Sequence, residues 1–192
     1  TVAADKEAYL ALAAETYFQT CEQAIRAADP NHMILGVRFA GRAEPTVARA
    51  CAQHVDVLSF NNYGYEAPAD SLLLLFHATL RPIMITEWSF KAMDSGLLNT
   101  KGAAIPVYSQ SDRADGYERY VKGALALPFV VGLHWFQYTD QPFLGRSLDG
   151  ENSNYGVVDV HDEPYCTLVE RMRVVNGQAI KMARQSVSLA DV

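Results

Sequence analysis

Cysteine is scarce. Only Cys21, Cys51 and Cys166 occur among 192 residues, far apart and with no CxxC spacing. An odd number cannot form a complete disulfide set, and a structural zinc site lacks its ligand spacing. Three reduced, mostly buried thiols are expected. Long apolar runs are also missing. The longest weakly polar stretch, Ala124 to Phe136, is interrupted by Pro128, Gly132 and His134. A spanning helix needs roughly 20 apolar residues, so no membrane segment is expected. No positively charged start leading into an apolar run marks a signal peptide. Positive charge is the minority: 16 Lys and Arg stand against 22 Asp and Glu, a formal charge of -6. Phosphate backbones would be repelled, which argues against a nucleic-acid partner. Neither GxGxxG nor a P-loop follows any strand pattern. No cofactor and no metal is expected.

What remains is a well-supplied core. The chain is 49% hydrophobic and 20% charged, a globular composition sized for a single domain. Residues 3–28 have helical spacing and stop at Asp29-Pro30-Asn31. Residues 32–39 read as a strand, and 45–54 as a helix with Pro45 in its first turn. Residues 55–61 read as a second strand. A helix capped by Asp70 or Ser71 reaches Leu80, and its leucines at 72–75 suggest burial over much of its surface. Ile83 to Thr86 is a third strand, followed by a polar loop to about Ser111. A helix from Asp112 to Leu127 stops at Pro128. Residues 129–138 form a fourth strand, 156–160 a short extra one, and 163–183 a last helix with a break at Asn176-Gly177. Residues 184–192 read as a frayed tail. Strands alternating with helices predict a parallel sheet covered by helices. A complete (β/α)8 barrel takes roughly 250 residues and eight strands, and four are present here.

Chemistry gathers at the carboxyl ends of these strands, where α/β proteins place their ligands. Glu87 follows Ile83-Met84-Ile85-Thr86 directly. A carboxylate at the mouth of a buried strand is costly unless it is used or paired. Asn61 and Tyr63 close the second strand. His134, Trp135, Gln137 and Tyr138 close the fourth, with Asp140 just beyond. Aromatic faces for sugar rings, and amides and acids for hydroxyls, suit a carbohydrate.

Pro82-Ile83-Met84-Ile85-Thr86-Glu87-Trp88 resembles the seventh-strand nucleophile motif of the retaining glycoside hydrolases of clan A. Phe60-Asn61-Asn62-Tyr63-Gly64-Tyr65 resembles their sixth strand, and Gly132-Leu133-His134-Trp135-Phe136 their eighth. The tract Asp140-Gln141-Pro142, Asp149-Gly150-Glu151-Asn152 and Tyr155-Gly156-Val157-Val158-Asp159-Val160 is most similar to agarase-like and β-galactosidase-like members. The resemblance implies an α/β fold, the (β/α)4 half of a TIM barrel. Its strands would be equivalent to the fifth to eighth; four parallel strands leave two open edges, so completion by self-association as a homodimer is expected. It implies glycoside hydrolysis, with Glu87 as nucleophile and Tyr63 as its hydrogen-bonding partner. Asn61, Tyr63, His134, Trp135, Gln137 and Asp140 would be substrate-binding. The family's acid/base Glu closes the fourth strand, ahead of the first helix here, so no residue of this chain is expected to take that role. A non-hydrolytic half-barrel scaffold or sugar-binding homodimer is the alternative, and an open flavodoxin-like sheet a weaker one.

Other candidates have plainer readings. Glu66 and Glu151 read as solvated loop acids. Asp140 is expected either to bind a sugar hydroxyl or to pair with Arg146. His32, His54 and His77 read as packing or surface residues. His161, with Asp159, Asp162 and Glu163, forms an acidic turn.

Overall fold

The computed structural model describes residues 1–190. The elements are α1 (Val2–Ala28), β1 (Arg38–Phe39), α2 (Pro45–Gln53), β2 (Leu58–Asn61), α3 (Ala69–Thr79), β3 (Ile83–Trp88), β4 (Phe90–Ala92), β5 (Ile105–Val107), α4 (Gln110–Leu125), β6 (Val130–Trp135) and α5 (Cys166–Ala190). They fall into two compact units. One comprises residues 1–61, 70–86 and 129–132, the other residues 62–69, 87–128 and the chain from Leu133 onward. One sheet has the order β1-β2-β3-β6; β4 and β5 form another. β1 and β2 are parallel, Arg38 opposite Ser59. Backbone bonds advance together along both partners elsewhere: Leu58 N–H to the Pro82 carbonyl and Asn62 N–H to that of Glu87, Ile83 N–H to Phe129 and Phe136 N–H to Trp88. β2, β3 and β6 are therefore parallel, as the alternation of elements predicted.

In the first unit, Ala14 and Phe18 of α1 pack with Cys51, Ala52, Val55 and Leu58. Arg26 donates to Asp56 at 2.5 Å, and the same carboxylate accepts the Ile34 N–H at 2.7 Å. The strand expected over 32–39 shrinks to Arg38–Phe39. Gly36 is the reason. It sits at φ +71°, and a Cβ there would meet the Val57 carbonyl oxygen at 3.0 Å, so the chain kinks before it can pair regularly. The leucine run of α3 is also less buried than expected. Leu72 is enclosed, but Leu73 and Leu74 are exposed.

His54 is more than a packing residue. Its Nδ1 meets Glu22 at 2.8 Å and its Nε2 meets Glu15 at 2.7 Å, both acids on α1. A ring that donates from both nitrogens is protonated. The bond to Glu22 leads in raising the His54 pKa; burial opposes it, and Glu15 adds to the rise. A raised folded-state value stabilises fully below the unfolded pKa of about 6.5 and loses that stabilisation as pH climbs through the folded value. Thermal unfolding temperature is therefore expected to fall from about pH 6 upward through the neutral range. His54→Ala should flatten that fall, and an unchanged slope in the variant would refute the assignment.

The second unit is built on aromatics. Trp88 stacks on Tyr120 (4.2 Å between ring centroids) and Tyr117 (5.3 Å) and meets Phe90 edge-on. Gly116 belongs in the middle of α4 because a Cβ there would lie 3.0 Å from the Phe90 ring. α4 begins two residues before the expected Asp112. Ser109 caps it, accepting the Asp112 N–H at 3.2 Å while Asp112 accepts the Ser109 N–H at 3.0 Å. The loop expected over 89–111 contains two short parallel strands, β4 and β5, with Phe90 opposite Ile105. The expected strand at 156–160 is reduced to isolated bridges of Val158 with Thr139 and Pro164. α5 continues unbroken past Asn176-Gly177 and through 184–190, expected to fray. Tyr117 donates to the Asn176 side chain at 2.7 Å, so this mid-helix Asn is used. Asp191 and Val192 lie outside the described residues. The three thiols are free; Cys51 is buried, Cys21 half-buried and Cys166 exposed.

Candidate functional site

Glu87 stands near the end of β3, half-buried, and Tyr63 donates to its Oε2 at 2.9 Å. Burial, then the Glu87 carboxylate, push the Tyr63 phenol far above its ordinary range. The phenol therefore stays a donor wherever the carboxylate is ionised. The loop carrying Tyr63 is anchored one residue earlier. The Asn62 amide donates to the Tyr120 hydroxyl at 2.8 Å, and that hydroxyl donates back to the Asn62 carbonyl at 3.0 Å. An aromatic helix residue thus sets the backbone that presents Tyr63. No spacing signal tied Tyr120 to the site, because the contact crosses 58 residues.

Strand alternation sorts the other candidates. Trp88 and Trp135 meet edge-on at 5.1 Å, so they share a face. Glu87 and His134, each one residue earlier, share the opposite face. His134 is exposed there. Trp135 is half-buried on the other face, against Tyr117, with its indole N–H donating to the Tyr155 carbonyl at 2.9 Å. The Arg113 guanidinium lies 5.3 Å from its ring centroid. The contacts of Trp135 on this face are thus with Trp88, Tyr117, Tyr155 and Arg113. The Phe136–Gln137 peptide is cis, and Gln137 turns its amide onto the Thr139 carbonyl at 2.8 Å. Asn61 closes β2 in the first unit, where its amide oxygen accepts from Thr86 at 3.4 Å.

Asp140 is buried and does not pair with Arg146. Its oxygens accept from the Asn154 amide (2.9 Å), the Gly156 N–H (2.7 Å) and the Tyr165 hydroxyl (2.5 Å). Burial raises its pKa, while these donors and the charge of Arg113 pull the other way. Arg113, fully buried, donates to the carbonyls of Phe90 (2.8 Å), Asn154 (3.0 Å) and Gly156 (2.8 Å). Burial lowers its pKa to about 10, with Asp140 resisting, so it remains a cation at neutral pH. Arg113 was legible only as a basic residue on the apolar stripe of a helix pattern, four residues before Tyr117. Arg146 instead holds Asp149 at 2.6 Å and Glu151 at 3.0 Å, so Glu151 is an ion-paired acid and not a solvated one. Glu66 is exposed, 4.0 Å from Arg119. Asp159 accepts the His161 and Glu163 N–H groups, which closes the acidic turn on itself. No cluster able to hold a metal ion exists among the described residues. None of their helices is long and apolar enough to cross a membrane.

No family profile matches the chain. Beta-agarase B of Vibrio sp. (strain JT0107) is 38% identical over 169 residues, 88% of this chain and 17% of that protein. Beta-agarase A of the same organism is 40% identical over 167 residues, 83% of this chain and 16% of that protein. A solved exo-beta-agarase superposes with a TM-score of 0.88 at 36% identity, covering 94% of this chain and 24% of that one. The chain thus spans about a sixth of the length of the curated relatives it matches. Its homologues are glycoside hydrolases, and its parallel α/β fold matches a segment of their larger structures.

Proposed function

We propose that this chain carries the nucleophile side of a retaining glycoside hydrolase site that acts on agar or a related galactan, with Glu87 as nucleophile. The observation that supports it most is the Tyr63–Glu87 hydrogen bond at a strand's carboxyl end. A strong neutral donor on the carboxylate holds it in one orientation without neutralising it. The carboxylate attacks the anomeric carbon as the glycosidic C–O bond breaks, which gives a glycosyl ester. Water then cleaves the ester and returns the carboxylate. In this reading His134 of β6, exposed on the face it shares with Glu87 of β3, hydrogen-bonds sugar hydroxyls. Trp135 and the Arg113–Asp140 network support that strand from the opposite face. Retention requires a second carboxyl group about 5 to 5.5 Å from the first, to protonate the leaving oxygen. Asp140 and Glu151 are committed to the buried network and to Arg146, and Glu66 is an exposed loop acid 4.0 Å from Arg119. In this reading the acid/base belongs to a strand that precedes α1 in the family order, and β1, β2, β3 and β6 are the fifth to eighth strands of the barrel. Turnover of an activated aryl galactoside by this chain and by its Glu87→Gln variant tests the reading.

The same reading bears on association. β1 and β6 are the edges of the larger sheet. Unpaired strand edges recruit partners, and a two-fold pair of chains would cover both. The 192-residue chain on its own is expected to sediment as a dimer at micromolar concentration. A clean 21.2 kDa monomer would contradict this.

A further inference from the structure

The second unit also holds a groove of about 500 Å³, lined by Tyr65, Met93, Tyr108, Asp112, Asp115 and Arg119. Its apolar groups are open to water: Tyr65 is 56% exposed, Met93 52% and Tyr108 89%. Two exposed phenol rings and a thioether along one groove form a platform for a flat, partly apolar ligand. The charges around it are of both signs. Asp112 accepts from Ser109, Asp115 holds Arg171 at 2.7 Å, and Arg119 faces Glu66 at 4.0 Å. A ligand charge of either sign meets a like charge here, whereas neutral hydroxyl groups can bond to both. A peptide strand fits less well. β5 gives its regular bonds to β4, and its outward residue, Pro106, has no N–H to offer. The Pro106 carbonyl already accepts from the Tyr65 hydroxyl at 3.3 Å. The groove is also joined to Glu87 by sequence. Tyr65 follows Tyr63 by two residues, a reach of at most about 7 Å.

We propose that this groove is a further subsite for the saccharide chain that reaches Glu87, taking neutral, hydroxyl-rich units against the faces of Tyr65 and Tyr108. It rests on the carbohydrate reading of Glu87. Calorimetric titration of the full chain with a neutral agar-derived disaccharide and an octasaccharide tests it. The octasaccharide should bind more tightly. Tyr65→Ala and Tyr108→Ala should each lower octasaccharide affinity about five- to tenfold and leave the disaccharide unchanged, a stacking-sized loss. Tyr65→Phe, which keeps the ring, should retain affinity. Two equally tight ligands, or alanine variants as tight as the parent, would overturn the subsite and leave the Glu87 reading standing. No binding of either ligand would overturn both. A sulfated octasaccharide that binds more tightly than the neutral one would overturn the choice of a neutral ligand.

Discussion

Glu87→Gln is expected to lower turnover of an activated aryl galactoside by roughly 10⁴-fold or more, the scale seen when a hydrolase loses its nucleophilic machinery. The amide is nearly isosteric and still accepts the Tyr63 hydroxyl now 2.9 Å from the carboxylate, so the fold should survive. It cannot form the ester, because a neutral amide is a far poorer nucleophile than a carboxylate. An aryl leaving group makes the test sharp, since it departs with little help from a general acid, a role otherwise worth about 10²–10⁴-fold. Far- and near-ultraviolet circular dichroism of the variant should match the parent. Turnover within tenfold of the parent would remove Glu87 from the reaction.

Asp140→Ala is expected to cost about 3–5 kcal/mol of folding stability, because it leaves the Arg113 cation buried without its nearby anion. Arg113 is fully enclosed, and its three carbonyl acceptors carry no net charge. The substitution also strips an acceptor from Asn154, Gly156 and Tyr165. In a domain of this size the loss corresponds to a drop of roughly 10 °C in Tm. Asp140→Asn keeps an acceptor oxygen and should fall between. A Tm within a degree or two of the parent for Asp140→Ala would show that the network is dispensable. A rim residue that merely touched sugar would give that small shift, so the experiment also separates the observed placement of Asp140 from the one the sequence suggested.

The parallel α/β order was legible because it depends on long, repeated signals: apolar runs of strand length separated by helix-length periodic segments. Glu87 stood out because it directly follows such a run, and its hydrogen bond with Tyr63 was expected from the resemblance of the Asn61-Asn62-Tyr63 segment. The departures come from effects that one chain read in order does not display. A single glycine at positive φ cut the first strand short. β4 and β5 are three residues each, and their pairing spans a loop. The run Leu72 to Leu75 wraps all round a helix, so a local pattern could not show which side would be covered. Asp140 and Arg113 lie 27 positions apart in order, and only folding shows that each answers the other's charge. The face that Trp135 takes follows from the register that sets it against Trp88, which residue type alone does not display.

Covalent capture of Glu87 tests the central claim most directly. An activated 2-deoxy-2-fluoro galactoside glycosylates a retaining nucleophile as its leaving group departs without protonation, and the resulting glycosyl ester hydrolyses slowly. Intact-mass measurement after incubation should show one added glycosyl group, and peptide mapping should place it on the peptide containing Glu87. The Glu87→Gln variant should remain unlabelled. A label on another carboxylate, or equal labelling of parent and variant, would contradict the account.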